Sequence, residues 1–91
     1  MLVEIVARSG PVWSGRADHV SVPSVNGGMG ILPGHTPLMA LLDAGPVEVR
    51  QGGGVVEVFD VDRGFVTVDN DHIYIVVDGA GNGAARRGMA D

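Results

Sequence analysis

Cysteine and lysine are both absent from the 91 residues of this chain, and only Trp13, Phe59, Phe65 and Tyr74 are aromatic. Without cysteine there is no disulfide, no thiolate nucleophile and no structural zinc site of the usual cysteine-bearing kind. A small domain free of disulfides fits a reducing compartment. Without lysine no ammonium group is available to hold a phosphate, and the formal net charge is −5. That balance repels phosphate backbones and anionic lipid headgroups, which argues against nucleic-acid binding. Long apolar runs are missing as well. The longest strictly apolar stretch, Leu38–Leu42, falls far short of the roughly 20 residues that span a bilayer. The N-terminal run is interrupted by Glu4 and lacks the basic start of a secretory signal. A soluble chain is expected, with no direct membrane insertion; any membrane association must come through a protein partner.

What is present is apolar and β-branched. Hydrophobic residues make up 45% of the chain, with valine prominent, and branched side chains suit a pleated, half-buried surface. The length suits a single domain. Short apolar runs alternate with glycine, proline, asparagine or aspartate. Leu2–Arg8 reads as a first strand, ended by a turn at Ser9-Gly10-Pro11, with a bend near Trp13-Ser14-Gly15. Ala17–Val22 follows, and Pro23 is expected to limit it because proline cannot donate to a ladder. Val25–Gly28 reads as a tight turn, Asn26-Gly27 being a hairpin signal tolerant of positive φ.

Val47–Arg50 and Val55–Asp60 flank a glycine-rich tip. In Phe65–Val68, Phe65 and Thr67 share one face while Val66 and Val68 share the other. Asp69-Asn70-Asp71 turns the chain into His72–Val77. Only Leu38–Asp43 resembles a helical turn. The fold class that follows is all-β, a small antiparallel β-sandwich or flattened barrel. It spans residues 1–78, and a Gly/Ala-rich, disordered tail is expected over 79–91.

Candidate chemistry is thin. His19, His35 and His72 could meet at a metal, but no H-x-H pair occurs, and spacing supplies neither ligand count nor geometry. Asp60 and Asp62 stand two apart beside Arg63, yet neither a nucleophile nor a pocket-forming aromatic accompanies them. Gly27-Gly28-x-Gly30 matches neither a P-loop nor a dinucleotide fingerprint. No catalytic, cofactor-binding or metal residue is assigned, and no cofactor is expected. Trp13 reads as a core plug.

The segment from Gly27 to Leu42 holds four glycines and two prolines, which force a backbone path between apolar patches. His35 lies between Pro33-Gly34 and Thr36-Pro37, placed to hydrogen-bond backbone groups of an irregular loop. Met29, Ile31, Leu32, Leu38 and Met39 are too many to hide on one side of a thin sandwich, so an exposed apolar patch for a protein partner is expected.

These residues carry a resemblance. Trp13-Ser14-Gly15, Gly30-Ile31-Leu32-Pro33-Gly34-His35-Thr36-Pro37-Leu38, Leu42-x-x-Gly45 and Gly64-Phe65-Val66-Thr67-Val68 followed by Ile73–Val77 appear in this order and spacing. The chain resembles the N-terminal β-sandwich domain of the epsilon subunit of F-type ATP synthases (delta in mitochondria) over residues 2–78. The resemblance implies a non-catalytic rotor part of the central stalk, docked on the gamma subunit and the c-ring. It would couple proton flow to ATP synthesis from the cytoplasmic face of the cell membrane.

By position, it also implies that Val25, Asn26, Gly27, Gly28, Met29 and Gly30 face the c-ring. Ile31, Pro33, Gly34, His35, Pro37 and Met39 would form or support the gamma side. Gly28 stands where family members often carry an acid. Most bacterial members continue into a C-terminal helical hairpin that restrains hydrolysis, so neither hairpin inhibition nor a nucleotide site is expected here. An independent small β-sandwich binding module is the alternative reading.

Overall fold

Period-two alternation marks most of the short apolar runs, and every element of the computed structural model, which describes residues 1–82, is a strand. In chain order these are β1 (Leu2–Ala7), β2 (Gly10–Arg16), β3 (His19–Ser24), β4 (Gly27–Ile31) and β5 (Leu38–Leu42). They continue as β6 (Gly45–Gln51), β7 (Gly54–Val61), β8 (Gly64–Asp69), β9 (His72–Val77) and β10 (Ala80–Asn82).

The strands form two layers. One runs β10-β7-β6-β3-β4 and the other β5-β8-β9-β1-β2; within the strand ladder, Ser24 opposite Leu42 joins them. Around that joint the Val25 N–H donates to the Leu41 carbonyl (3.0 Å) and the Asp43 N–H to the Pro23 carbonyl (2.8 Å). Between the layers Trp13 of β2 meets Phe59 of β7, ring centroids 6.1 Å apart. Trp13 is only partly buried and packs against the core rather than plugging it, and its ring lies so close over Gly15 that a Cβ there would fall 2.7 Å from ring carbons.

The inward side chains are those alternation selects. Val3 and Ile5, Val20 and Val22, Val47 and Val49, Val66 and Val68, Ile73 and Ile75 are each at most 2% exposed. Burial of this kind supplies about 1.5–3 kcal/mol per large aliphatic side chain. Val66 and Val68 therefore hold the inner face of β8 and leave Phe65 and Thr67 outside.

Several expectations need correction. The first turn is Arg8-Ser9, and Gly10–Arg16 is a strand opposite β1 rather than a turn and bend. Leu38–Leu42 is a strand too, not a helical turn. The sheet is not wholly antiparallel, because β1 runs parallel to β9. Pro23 lies inside β3 rather than ending it. Its carbonyl is bonded away from β4, so the missing N–H falls at a pair where β4 requires none. In the segment read as a tail, Ala80–Asn82 pairs with Phe59–Val61, while the disorder expected further on concerns residues 83–91, outside the described residues.

Candidate docking surface

The hairpin joining β3 to β4 turns at Val25-Asn26, with the Asn26 N–H donating to Ser24 Oγ (3.2 Å). Positive φ occurs at Gly27 (+115°) and not at Asn26, so the Asn-Gly signal located the turn one residue late. Val25 is 48% exposed at the tip, Gly28 and Gly30 are exposed along β4, and Met29 is half-buried.

Ile31 ends β4 fully buried, so it supports the surface and cannot touch a partner. Beyond it the chain makes a β-turn over Leu32-Pro33-Gly34-His35, closed by the His35 N–H to the Leu32 carbonyl (3.1 Å). Pro33 supplies the fixed φ of the second position and Gly34, at +81°, the positive φ of the third. The turn is tied down from outside. Asp71 Oδ1 accepts the Gly34 N–H at 2.7 Å across 37 residues of sequence. Asn70 and Asp71 hold φ of 50° and 59° in the β8–β9 turn, the conformation a two-residue hairpin loop favours. His35 makes the backbone contact expected of it, Nδ1–H donating to the Thr36 carbonyl (2.7 Å), but only locally. Asp71 is the anchor that sequence reasoning missed. Its turn was legible; its reach to Gly34 required the fold.

The Val25 N–H bond to Leu41 lays the hairpin tip beside β5, bringing the two groups of expected site residues to one region. Met39 and Leu41 there are 67% and 60% exposed, and Leu32 in the neighbouring loop is 55% exposed. Register carries the apolar surface onward. Leu41 stands opposite Phe65, Phe65 opposite Val76, and Val76 opposite Val6, so one row crosses β5, β8, β9 and β1. All four side chains lie on the outer face, since their chain neighbours point inward. The next row is Met39, Thr67, Tyr74 and Glu4. At its end His72 Nε2–H donates to Glu4 Oε2 (2.8 Å), and Tyr74 meets the His72 ring edge-on.

His19 lies on β3, His35 in the turned loop and His72 at the start of β9, and no group of three metal-ligating side chains gathers among the described residues. No helix among them is long and apolar enough to cross a membrane.

Two cross-braced β-layers with an apolar outer row and a pinned turn define a small β-sandwich domain. Residues 1–83 match the family described as the β-sandwich domain of the ATP synthase delta/epsilon chain. The chain belongs to that family of ATP synthase subunits. It is 45% identical over 83 residues to the ATP synthase epsilon chain of Micrococcus luteus, covering 91% of each. It is 41% identical over 83 residues to that of Acaryochloris marina, of which it covers 59%. The fold is shared with a chain of the Euglena gracilis mitochondrial ATP synthase OSCP/F1/c-ring structure: TM-score 0.82, 19% identity, 99% of this chain and 60% of that one. A chain of the Tetrahymena thermophila mitochondrial central stalk and c-ring gives a TM-score of 0.76 at 16% identity, over 90% of this chain and 66% of that one.

Proposed function

We propose that this chain is a non-catalytic rotor subunit of the central stalk of a proton-transporting F-type ATP synthase. It docks on the gamma subunit and the c-ring and helps couple proton flow to ATP synthesis. It is held peripherally at the cytoplasmic face of the cell membrane by the complex, with no contact of its own to the bilayer core. The observation that carries this reading is the apolar row Leu41–Phe65–Val76–Val6 on an otherwise closed sandwich. A small domain that buries its core in alternation has no internal use for a second apolar face, and such a face marks a protein interface.

Met39 and Leu41 are assigned to gamma, with the loop at Pro33, Gly34, His35 and Pro37 holding β4 and β5 in place around the buried Ile31. The hairpin Val25–Gly30, which projects beside them, is assigned to the c-ring. Lacking an acid at Gly28, it would meet the ring through backbone groups, Asn26 and Val25. A sandwich suits a rotor because hydrogen-bonded ladders along both layers resist shear.

The test is capture. Purified gamma subunit, alone and with c-ring, should retain the chain through size-exclusion chromatography, and imaging of the assembled enzyme should place it at the foot of the stalk. A monomer indifferent to both partners would overturn the assignment and leave an independent binding module.

A further inference from the structure

We propose that the free edge of β4, at Gly28 and Gly30, is a strand-addition site that takes an extended, neutral-to-basic segment of a stalk partner by main-chain pairing. The inference rests on the docking reading above and adds to it the mode of contact.

Among the described residues three strands pair on one side only, namely β2, β4 and β10. β2 is guarded in the usual ways, by Pro11, by Arg16 and by a register shift opposite Ile5 and Val6. β10 is three residues long. β4, Gly-Gly-Met-Gly-Ile, carries no charge, no proline and no bulge.

Its unpaired groups can be identified from β3. Pro23 has no N–H, and its carbonyl accepts from Asp43 on the side away from β4. The Pro23–Gly28 pair is therefore of the non-hydrogen-bonded kind, and by alternation so is Ser21–Gly30. In such pairs the partner's N–H and C=O point outward. Gly28 and Gly30 consequently present two donors and two acceptors at two-residue spacing, the pattern an incoming strand requires. No backbone bond outside the ladder reaches either residue among the described residues.

The face beside this edge is open at Gly28, while the His19 ring lies over Gly30. A groove of about 530 Å³ runs along it, lined by His19, Ser21, Pro23, Met29 and Pro46. It exists because Gly28 and Gly30 contribute no side chains, and it would receive alternate side chains of the added strand. Charge selects the occupant. The chain is −5 overall; of the charged residues in register beside the groove, Arg50 and Glu48 pair with each other, while Asp60 stands opposite Pro46 at its far side. A second copy of the chain would bring −5 against −5 and is disfavoured; a neutral or basic segment is favoured.

Backbone amide hydrogen exchange on the full chain, free and assembled with gamma and c-ring, tests this directly. In the free chain Gly28 and Gly30 should exchange fast while Met29, bonded to Val22, is protected. On assembly the Gly28 and Gly30 amides should slow by at least about tenfold, as for one added hydrogen bond of ordinary strength, with Met29 unchanged.

Gly28→Pro removes an outward N–H without touching the β3 ladder. It should weaken capture about tenfold. Gly54→Ala, at a glycine away from this edge whose Cβ also meets nothing within 4 Å, should bind as the parent does. Preserved Met29 protection in the proline variant reports that β4 is intact. Capture with Gly28 and Gly30 still exchanging freely overturns strand addition and leaves the docking reading standing. Absence of capture by either partner overturns both. If Gly28→Pro disturbs β4, the exchange pattern of the parent chain decides alone.

Discussion

The two outer faces of this sandwich are built from the same strand grammar to opposite ends. On the layer holding β6 and β7, outward positions carry Glu48, ion-paired with Arg50, and Asp60, with Ser21 and His19 on neighbouring β3. On the layer holding β8 and β9, the corresponding positions carry Phe65, Val76, Leu41 and Val6, with Tyr74 38% exposed beside them. An antiparallel face turned to water is ordinarily polar; the first one is mixed, its charges interleaved with Val58 opposite Glu48 and the exposed Val55 opposite Arg50. The second layer departs from that rule over a contiguous row, and contiguity separates an interface from the scattered apolar residues of any surface.

The largest effect is expected where the second face owes its shape to a glycine. A Cβ at Gly64 would lie 1.9 Å from the Val76 carbonyl oxygen and 2.7 Å from Val77 Cα. Gly64 is what lets β8 approach β9 closely enough for Phe65 and Val76 to stand side by side. Neither backbone atom can swing aside, so Gly64→Ala should destabilise the fold by about 3 kcal/mol, read from urea unfolding. Gly54→Ala, with no atom within 4 Å and no positive φ, should stay within about 0.5 kcal/mol. Equal midpoints for the two variants would show that β8 and β9 are not so tightly joined.

The contrast between the faces is sharpened by charge. Leu41→Asp places a carboxylate in the middle of the apolar region and should weaken gamma capture by about 2 kcal/mol, some thirtyfold. Its unfolding midpoint should hardly move, because Leu41 is already 60% exposed. Val56→Asp, on exposed β7 of the other layer, should leave capture within about twofold, the range of a surface change away from a contact. Matching losses in both variants would erase the distinction between the faces.

This apolar row also explains what the sequence concealed. Where one face is wet, alternation is plain, and Val47–Arg50 could be assigned by eye. Leu38–Leu42 has no alternation because Leu42 faces the core while the equally apolar Leu41 and Met39 face outward. A strand apolar on both sides cannot be told from a short helical turn by period alone, so the outward leucine and methionine of β5 made it look like a helix. The row itself was beyond reach because it depends on strand order. Val6 and Val76 are neighbours only through the parallel pairing of β1 with β9, residues roughly a whole chain apart. The turns fared better, since glycine and proline act locally: Pro33-Gly34 was legible as a pivot, and its partner Asp71 was not.

The smallest effect belongs to that partner. Asp71 does two separable things, holding φ at 59° in its own turn and accepting the Gly34 N–H. Alanine would do neither, giving about 1 kcal/mol for the left-handed backbone and about 1 kcal/mol for an exposed hydrogen bond. Asparagine tolerates the same φ and keeps an acceptor oxygen, so Asp71→Asn should recover most of the loss. Glycine separates the two contributions: Asp71→Gly relieves the φ cost and leaves Gly34 unanchored. If the loop matters to gamma only because it is held still, Asp71→Gly should bind gamma about as weakly as Asp71→Ala while unfolding later than it does. Parent-like affinity for Asp71→Gly would instead mean that Pro33 and Gly34 fix the loop unaided, with the Asp71 bond acting on the β8–β9 turn alone.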